Sequence, residues 1–396
     1  MGDVIDLGEF GESFRADPHP VYAKLRDLGP VHRVRLPAAD APAEYQPWLV
    51  VGHDEARAAL ADPRLSKDPA RAGLDVLEEQ LIGKHLLITD PPRHTRLRSL
   101  VTRAFTARRV EALRPRVQQI TDELLDAVLP LGHADLVEAF AYPLPITVIC
   151  ELLGVPEIDR AAFREMSNEV VAPTTGEASE RAMNRLGAYL TDLIEDKRCA
   201  GPADDLLSAL IRTTAEDGDR LSRDELRGMA FLLLVAGHET TVNLITNSVY
   251  ALLTHPDQLA AVRADPDLVD GAVEETLRYE SPVENATFRF AAEPLEIGGT
   301  AIAPGEPVMI GLSSAGRDAT RHPDPDRFDV RRDSRGHLAF GHGIHYCLGA
   351  PLARLEARTA LSTLLHRAPA LTLAGAPGEW LPGMLIRGMR SLPVRW

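Results

Sequence analysis

The chain has 396 residues and a net charge of −15, a surface balance that excludes the phosphate neutralisation on which nucleic-acid binding depends. Its 45% apolar and 26% charged content is that of a folded globular protein, which excludes disorder, and its length admits a large buried core. Three cysteines, Cys150, Cys199 and Cys347, are too few and too scattered for a disulfide framework and point to a reducing cytoplasm.

In chain order, the acidic N-terminus shows neither a signal peptide nor a membrane anchor, and a first β signal lies at 48–51. Apolar residues at helical spacing predict helices at 110–129, 159–171, 177–198, 205–214, 224–253, 268–279 and 348–367, with further β signals at 295–297 and 308–312. The Pro/Gly-rich stretches at 172–176 and 199–205 are short and sit between helical patterns, so no linker divides the chain. The expectation is a mainly α protein, one large helical domain over 1–396 with a small β-sheet region. The longest wholly apolar stretch, 229–237, is far below the roughly 20 residues that cross a bilayer, so no membrane association is expected.

The longest helical segment begins at a capping box, Ser222 followed three residues later by Glu225. At about 1.5 Å per residue it is long enough to cross the whole domain. Ala236-Gly237-His238-Glu239-Thr240-Thr241 interrupts its apolar interior. Gly in mid-helix costs about 1 kcal/mol relative to Ala, so this local breach of helix preference marks a candidate site.

Near the C-terminus, Phe340-Gly341-His342-Gly343-Ile344-His345-Tyr346-Cys347-Leu348-Gly349 runs directly into the last helix. That places Cys347 at a helix N-terminus, where the dipole and free N–H groups favour a metal-binding thiolate. Gly343 and Gly349 are expected to let the backbone approach the sulfur and a flat cofactor. Read from the residues alone, the loop is also compatible with a structural cysteine, or with zinc on His342, His345 and Cys347, although no fourth ligand stands at a suitable spacing.

The six positions Phe340, Gly341, Gly343, His345, Cys347 and Gly349 resemble the cysteine-ligand loop of the cytochrome P450 family. The likeness extends from Asp17-Pro18-His19-Pro20 to Leu392-Pro393-Val394-Arg395-Trp396. It implies the P450 fold and haem b (iron protoporphyrin IX), with Cys347 as the axial iron ligand. Ala236, Gly237, Phe340, Gly341 and Gly349 would lie against the haem, with His94, Arg98, Arg289 and His345 on its propionates. Glu239 and Thr240 match the family's acid–alcohol pair. Glu275 and Arg278 form its ExxR pair, and Arg327 in Asp324-Pro325-Asp326-Arg327-Phe328 would join them in a buried network holding the cysteine loop. One departure is Gly316, where the family commonly has Asn before Arg-Asp; it leaves the local turn open.

The resemblance further implies a monooxygenase that hydroxylates or epoxidises a small hydrophobic natural product, closest to the enzymes that finish macrolides and other polyketides in antibiotic biosynthesis. Non-oxygenating or coupling chemistry is the alternative, and an intact Glu239–Thr240 pair counts against it. Electrons would come from NAD(P)H through a ferredoxin and ferredoxin reductase, with Arg103, Arg108, Arg109, Arg354 and Arg358 as a candidate docking face. Glu79, Ile88, Val235, Val283, Thr287 and Ile386 are expected to touch substrate. Glu78 and Glu79 would hold a cationic amino sugar, and 172–179 would form a lid.

Overall fold

The protein's computed structural model describes residues 4–37, 45–72, 82–156, 160–171, 175–212 and 220–396. Glu78, Glu79 and residues 172–174 lie outside them. The helices that position the site are α1 (Arg93–Ala104), α2 (Pro143–Leu153), α3 (Arg160–Val171), α4 (Gly176–Ala200), α5 (Arg223–Thr254), α6 (Val269–Tyr279) and α7 (Ala350–Arg367). The expected helix at 110–129 is two, Ala107–Ala112 and Arg114–Val128. Pro115 lies in the first turn of the second, where its missing N–H is tolerated and where it starts a new helix rather than continuing one.

The capping box is present. Ser222 Oγ accepts from Glu225 N at 3.2 Å, and Glu225 Oε2 accepts from Ser222 N at 3.0 Å. The Arg93 guanidinium, 3.2 Å from Glu225, ties α1 to the same helix start. Among the described residues α5 is the one helix long and apolar enough to cross a membrane, but 72% of its apolar window is buried inside the molecule. It is a core helix, and α2, α4, α6 and α7 pack around it.

Beside the helices lies a six-stranded sheet of β1 (Ile5–Asp6), β2 (Val31–Arg35), β3 (Trp48–Val50), β4 (Leu65–Ser66), β5 (Asn285–Ala291) and β6 (Pro307–Gly311), in the order β1-β2-β3-β6-β5-β4. β3 runs parallel to β6 with Leu49 opposite Met309, and β5 runs antiparallel to β6 with Asn285 opposite Gly311. The β5–β6 register slips between Ala286 and Arg289. Such a bulge unpairs backbone groups and re-aims side chains. Here the buried Lys67 ammonium fills the gap, donating to Thr287 O at 2.8 Å, to Phe288 O at 2.9 Å and to the Thr287 hydroxyl. Arg289 is the next residue along.

The expected lid is partly helix. Thr175 caps α4, its hydroxyl accepting from Ala178 N at 3.1 Å, so residues 176–179 already belong to that helix.

Candidate functional site

Cys347 N donates to Phe340 O at 2.9 Å, which closes the loop on itself just before α7. The cysteine is accessible although protein surrounds it. Gly341 and Gly343 have φ of 71° and 74°, a left-handed region that favours glycine. One of the two glycine expectations needs correction. A Cβ on Gly343 would meet Leu60 O at 3.0 Å, so the close approach there is to the helix His53–Ala61, not to the sulfur. Gly349, with an ordinary φ of −78°, does approach the sulfur as expected: a Cβ there would lie 3.8 Å from Cys347 Sγ, and its amide, with that of Ala350, donates to that sulfur.

Burial pushes the Cys347 thiol up, and the Gly349 and Ala350 amides and the Arg98 and Arg354 guanidiniums oppose this without overcoming it. The helix N-terminus therefore does not by itself offset the burial of this thiol. Among the described residues no group of three His, Cys, Asp or Glu side chains is placed to hold a metal ion, which removes the zinc reading of this loop.

Beside the cysteine gather the four expected basic residues. The His94 and His345 rings lie 4.3 Å apart, and Arg98 Nη2 donates to Tyr346 O at 2.8 Å. Arg289 is 4% exposed and His94 2%, and Arg289 Nε and His94 Nε2 have no hydrogen-bond partner. Burial lowers Arg289 to about 10. Burial, with the charges of Arg289, His94, Lys67 and Arg98, lowers His345 to about 2. Asp90 is the carboxylate whose charge opposes this on Arg289 and His94, and it also accepts from Ser66 Oγ and from Lys67 N at 2.8 Å. Buried cations with orphaned N–H groups are unfavourable unless an anion joins them, and two carboxylates side by side, as on a haem, fit the cluster. Lys67 was not legible as a member, because only the fold brings it there.

On α5, Leu233, Ala236, Gly237 and Thr240 share one face and, with Leu232, are exposed or half-exposed in a stretch whose other residues from Met229 to Val249 are buried. That stripe is open although the helix lies in the core. Thr240 Oγ1 donates to Ala236 O at 3.1 Å. Glu239 does not share the stripe. It is 5% exposed and turned toward α3, with His238 Nε2 at 3.2 Å from its Oε1 and Ser167 Oγ at 3.1 Å from the same histidine nitrogen. Burial raises the Glu239 carboxyl, but hydrogen bonds from His238 and Ser167 and the charge of Arg164 hold it, on balance, below its ordinary value.

The ExxR pair is fully buried, with Arg278 Nε and Nη2 at 2.8 and 2.7 Å from the Glu275 oxygens. Arg278 also donates to Gly316 O at 2.7 Å, Pro325 O at 2.8 Å and Arg327 O at 3.2 Å. The expected third member is corrected: the Arg327 side chain is 64% exposed, and that residue contributes only its carbonyl. Arg332 takes the place, its Nε 3.2 Å from Glu275 Oε1, with Ser334 Oγ donating to Glu275 Oε2 at 2.6 Å and Asp329 N to Oε1 at 2.9 Å. Gly316 is likewise explained, since a Cβ there would fall 2.2 Å from Arg278 O. A neighbour that sequence reasoning passed over, Glu274, is held at about 2; burial would raise it, but His337 and Arg354 more than offset that. Arg354 lies 2.6 Å from it and stacks over Phe340, so α6 grips the cysteine loop through two adjacent glutamates.

Of the expected substrate residues, Ile88, Val283 and Thr287 are half-buried and Val235 and Ile386 are buried, with Leu233, two residues before Val235, half-buried on the open face of α5. On the expected docking face, Arg354 and Arg358 are ion-paired to Glu274 and Asp270, and Arg109 reaches Asp204 at 3.5 Å. Arg103 and Arg108 are exposed, and Ile344 and Tyr346 of the cysteine loop are exposed apolar residues.

A cysteine sulfur at a helix start, a cationic cradle for two carboxylates and an open stripe on a core helix define a haem-thiolate protein. The family model "Cytochrome P450" matches residues 162–368. The chain is 58% identical to cytochrome P450 monooxygenase PikC of Streptomyces venezuelae, over 99% of this chain and 94% of that protein. It is 49% identical to 6-deoxyerythronolide B hydroxylase of Saccharopolyspora erythraea, over 100% and 99% of the two chains. The tirandamycin C-bound structure of the P450 monooxygenase TamI superposes with a TM-score of 0.90 at 47% identity, covering 99% of each chain. The chain belongs to the cytochrome P450 family and is a haem-dependent monooxygenase, a class that draws its electrons from redox partners.

Proposed function

We propose that the chain is a cytoplasmic single-domain enzyme, over residues 1–396, that hydroxylates or epoxidises a macrolide or related polyketide in antibiotic biosynthesis. Its electrons come from NAD(P)H through a ferredoxin and its reductase. The reading rests on the accessible Cys347 sulfur ahead of α7, with Arg98 close enough to act on it and His94, His345 and Arg289 grouped beside Arg98, two of them with unpaired nitrogens. The macrolide class is supported by the relative named for 6-deoxyerythronolide B, aligned along the full chain.

Cys347 would bind the iron, while His94, Arg98, Arg289 and His345 hold the propionates and Ala236, Gly237, Phe340, Gly341 and Gly349 lie against the ring. Bound haem supplies dioxygen activation and the transfer of one oxygen atom to substrate. The Gly349 and Ala350 amides donate to the sulfur and so temper its electron release. Thr240 holds a proton at Oγ1 on the open stripe, parked on the Ala236 carbonyl and available to a ligand that competes for it. Glu239, anchored behind it by His238, is the nearest stored negative charge on α5 and acts as the acid–base group that recharges Thr240 through water. Ile88, Val235, Val283, Thr287 and Ile386 bound the substrate space, with Leu233 on the open face of α5. The ferredoxin would dock where Arg103, Arg108, Ile344 and Tyr346 reach the surface.

The test is turnover of 6-deoxyerythronolide-type macrolides with isotopically labelled dioxygen. Incorporation of one labelled atom, after a substrate-induced change in the haem spectrum, is the expected result. Product formed without label would replace the reading with non-oxygenating or coupling chemistry.

A further inference from the structure

Two turns beyond Thr240 on the same face of α5 stands Asn247, fully buried and about 10 Å along the axis. Its Nδ2 donates to two carbonyls from distant parts of the chain, Glu280 O at 3.1 Å and Arg387 O at 3.0 Å. One turn earlier, Asn243 lies so close to the C-terminal loop that a Cβ on Gly388 would fall 1.9 Å from its Oδ1. The loop therefore rests directly on the helix that carries the open stripe.

The two carbonyls belong to the two segments that carry Val283 and Ile386. These run antiparallel through a short ladder: Arg387 N donates to Pro282 O and Glu284 N to Leu385 O, both at 2.9 Å, with Val283 facing Ile386. Asn285 Nδ2 adds a bond of 2.7 Å to Met384 O. So short a pairing is marginal by itself. Side chains brace it. Arg387 Nε donates to Glu280 Oε1 at 2.5 Å, its other nitrogens donate to Arg15 O at 2.8 Å and Ala16 O at 2.9 Å, and its guanidinium stacks 3.7 Å from the Trp380 ring. Arg387 is 4% exposed and Glu280 9%; Arg317 and His19 also lie 3.9 and 3.5 Å from Glu280, so the carboxylate ties three basic side chains together, and removing it would leave the buried Arg387 charge without a carboxylate.

We propose that Asn247, together with the Glu280–Arg387 pair, is a positioning device that sets the distance between the Thr240 turn and the Val283–Ile386 wall, and so decides which part of a large substrate faces the iron. The amide is suited to the role because two donors on one rigid buried group fix two strands to one helix turn, whereas a purely apolar contact would let the ladder slide. Asn247 touches neither substrate nor haem in this arrangement. It acts through Val283 and Ile386, and the inference rests on the reading of those two as pocket residues.

The test uses haem-loaded enzyme and two iron-ligating probes, so it requires neither the natural substrate nor a redox partner. Imidazole reports access to the iron alone, while the bulky azole econazole also reports the wall. Asn247→Leu, similar in volume but without donors, and Arg387→Lys, which keeps the ion pair and loses the fork to Arg15 and Ala16, are titrated optically beside Ile386→Ala. The expected result is an unchanged 450-nm band under carbon monoxide and unchanged imidazole binding in both clamp variants. Econazole binding should weaken about tenfold in Asn247→Leu and by less in Arg387→Lys, in an affinity range where tenfold is readily resolved. Unchanged econazole binding in both variants, with Ile386→Ala altered, would overturn the clamp but keep the pocket; no change in Ile386→Ala would overturn the pocket assignment itself. Parallel loss of imidazole and econazole binding would assign Asn247 to general folding and overturn the proposal. Should Asn247→Leu fail to take up haem, the Arg387→Lys titration decides alone.

Discussion

Arg289 and His345 show how one side chain can be read as a missing ligand. Burial lowers the pKa of both, opposed at Arg289 by the charge of Asp90 and reinforced at His345 by Arg289, His94, Lys67 and Arg98, and the orphaned Arg289 Nε faces no protein acceptor. Replacing Arg289 by Gln is expected to speed haem loss about ten- to a hundredfold, measured by transfer to an apo-globin acceptor, since one charge-assisted bond is worth roughly 1.5–3 kcal/mol. His322, 2% exposed, lies outside the haem cradle, and burial, with the charge of Arg278, lowers it from 6.5 to about 4. Between those values the unfolded chain takes up a proton at this position and the folded protein does not, so stability falls as pH drops through the window. His322→Gln removes that component. Thermal melts at the two ends of the window should show a smaller acid loss in the variant than in the parent.

At the scale of elements, the loop between Gly316 and Ser334 is held by one glutamate and one arginine on α6, and this was only partly legible beforehand. The i,i+3 spacing of Glu275 and Arg278 placed both on one helix face, but which arginine of the following loop returns to them depends on how the chain turns. Arg332, five residues beyond Arg327, does so. Arg327→Ala is therefore expected to change stability by no more than about 0.5 kcal/mol, as exposed sites do. Arg332→Ala should lose about 1–3 kcal/mol through a broken hydrogen bond to a buried charge. Chemical denaturation of the haem-loaded enzyme, followed at the haem band, separates the two. Gly316→Ala drives a carbon to within 2.2 Å of Arg278 O and should prevent stable haem incorporation, read as loss of the 450-nm band.

For the whole molecule, a net charge of −15 coexists with exposed arginines near the cysteine loop. Several arginines that looked available are bound internally: Arg354 and Arg358 serve α6 through Glu274 and Asp270. Charge reversal at Arg108 should slow reduction by ferredoxin and flatten its salt dependence while the carbon monoxide spectrum stays intact. Reversal at Arg354 should instead destabilise the cysteine loop, visible as a shift from 450 nm to a lower wavelength.

What the sequence by itself determined was everything written in local order. The mainly helical class, the capping box at Ser222, the cysteine ahead of α7 and the Glu275–Arg278 spacing depend on neighbours within a turn or two, and all are present; at Gly237 the helix runs on unbroken. Tertiary structure decided the rest. Glu239 faces α3 and Thr240 lies on the open stripe because a helix turns about 100° per residue, and packing alone selects which face looks inward. Lys67 reaches Thr287 across 220 residues, and Asn247 reaches Arg387 across 140. Contacts of that range follow from how helices and sheet close on one another, and no local pattern of residue types encodes them.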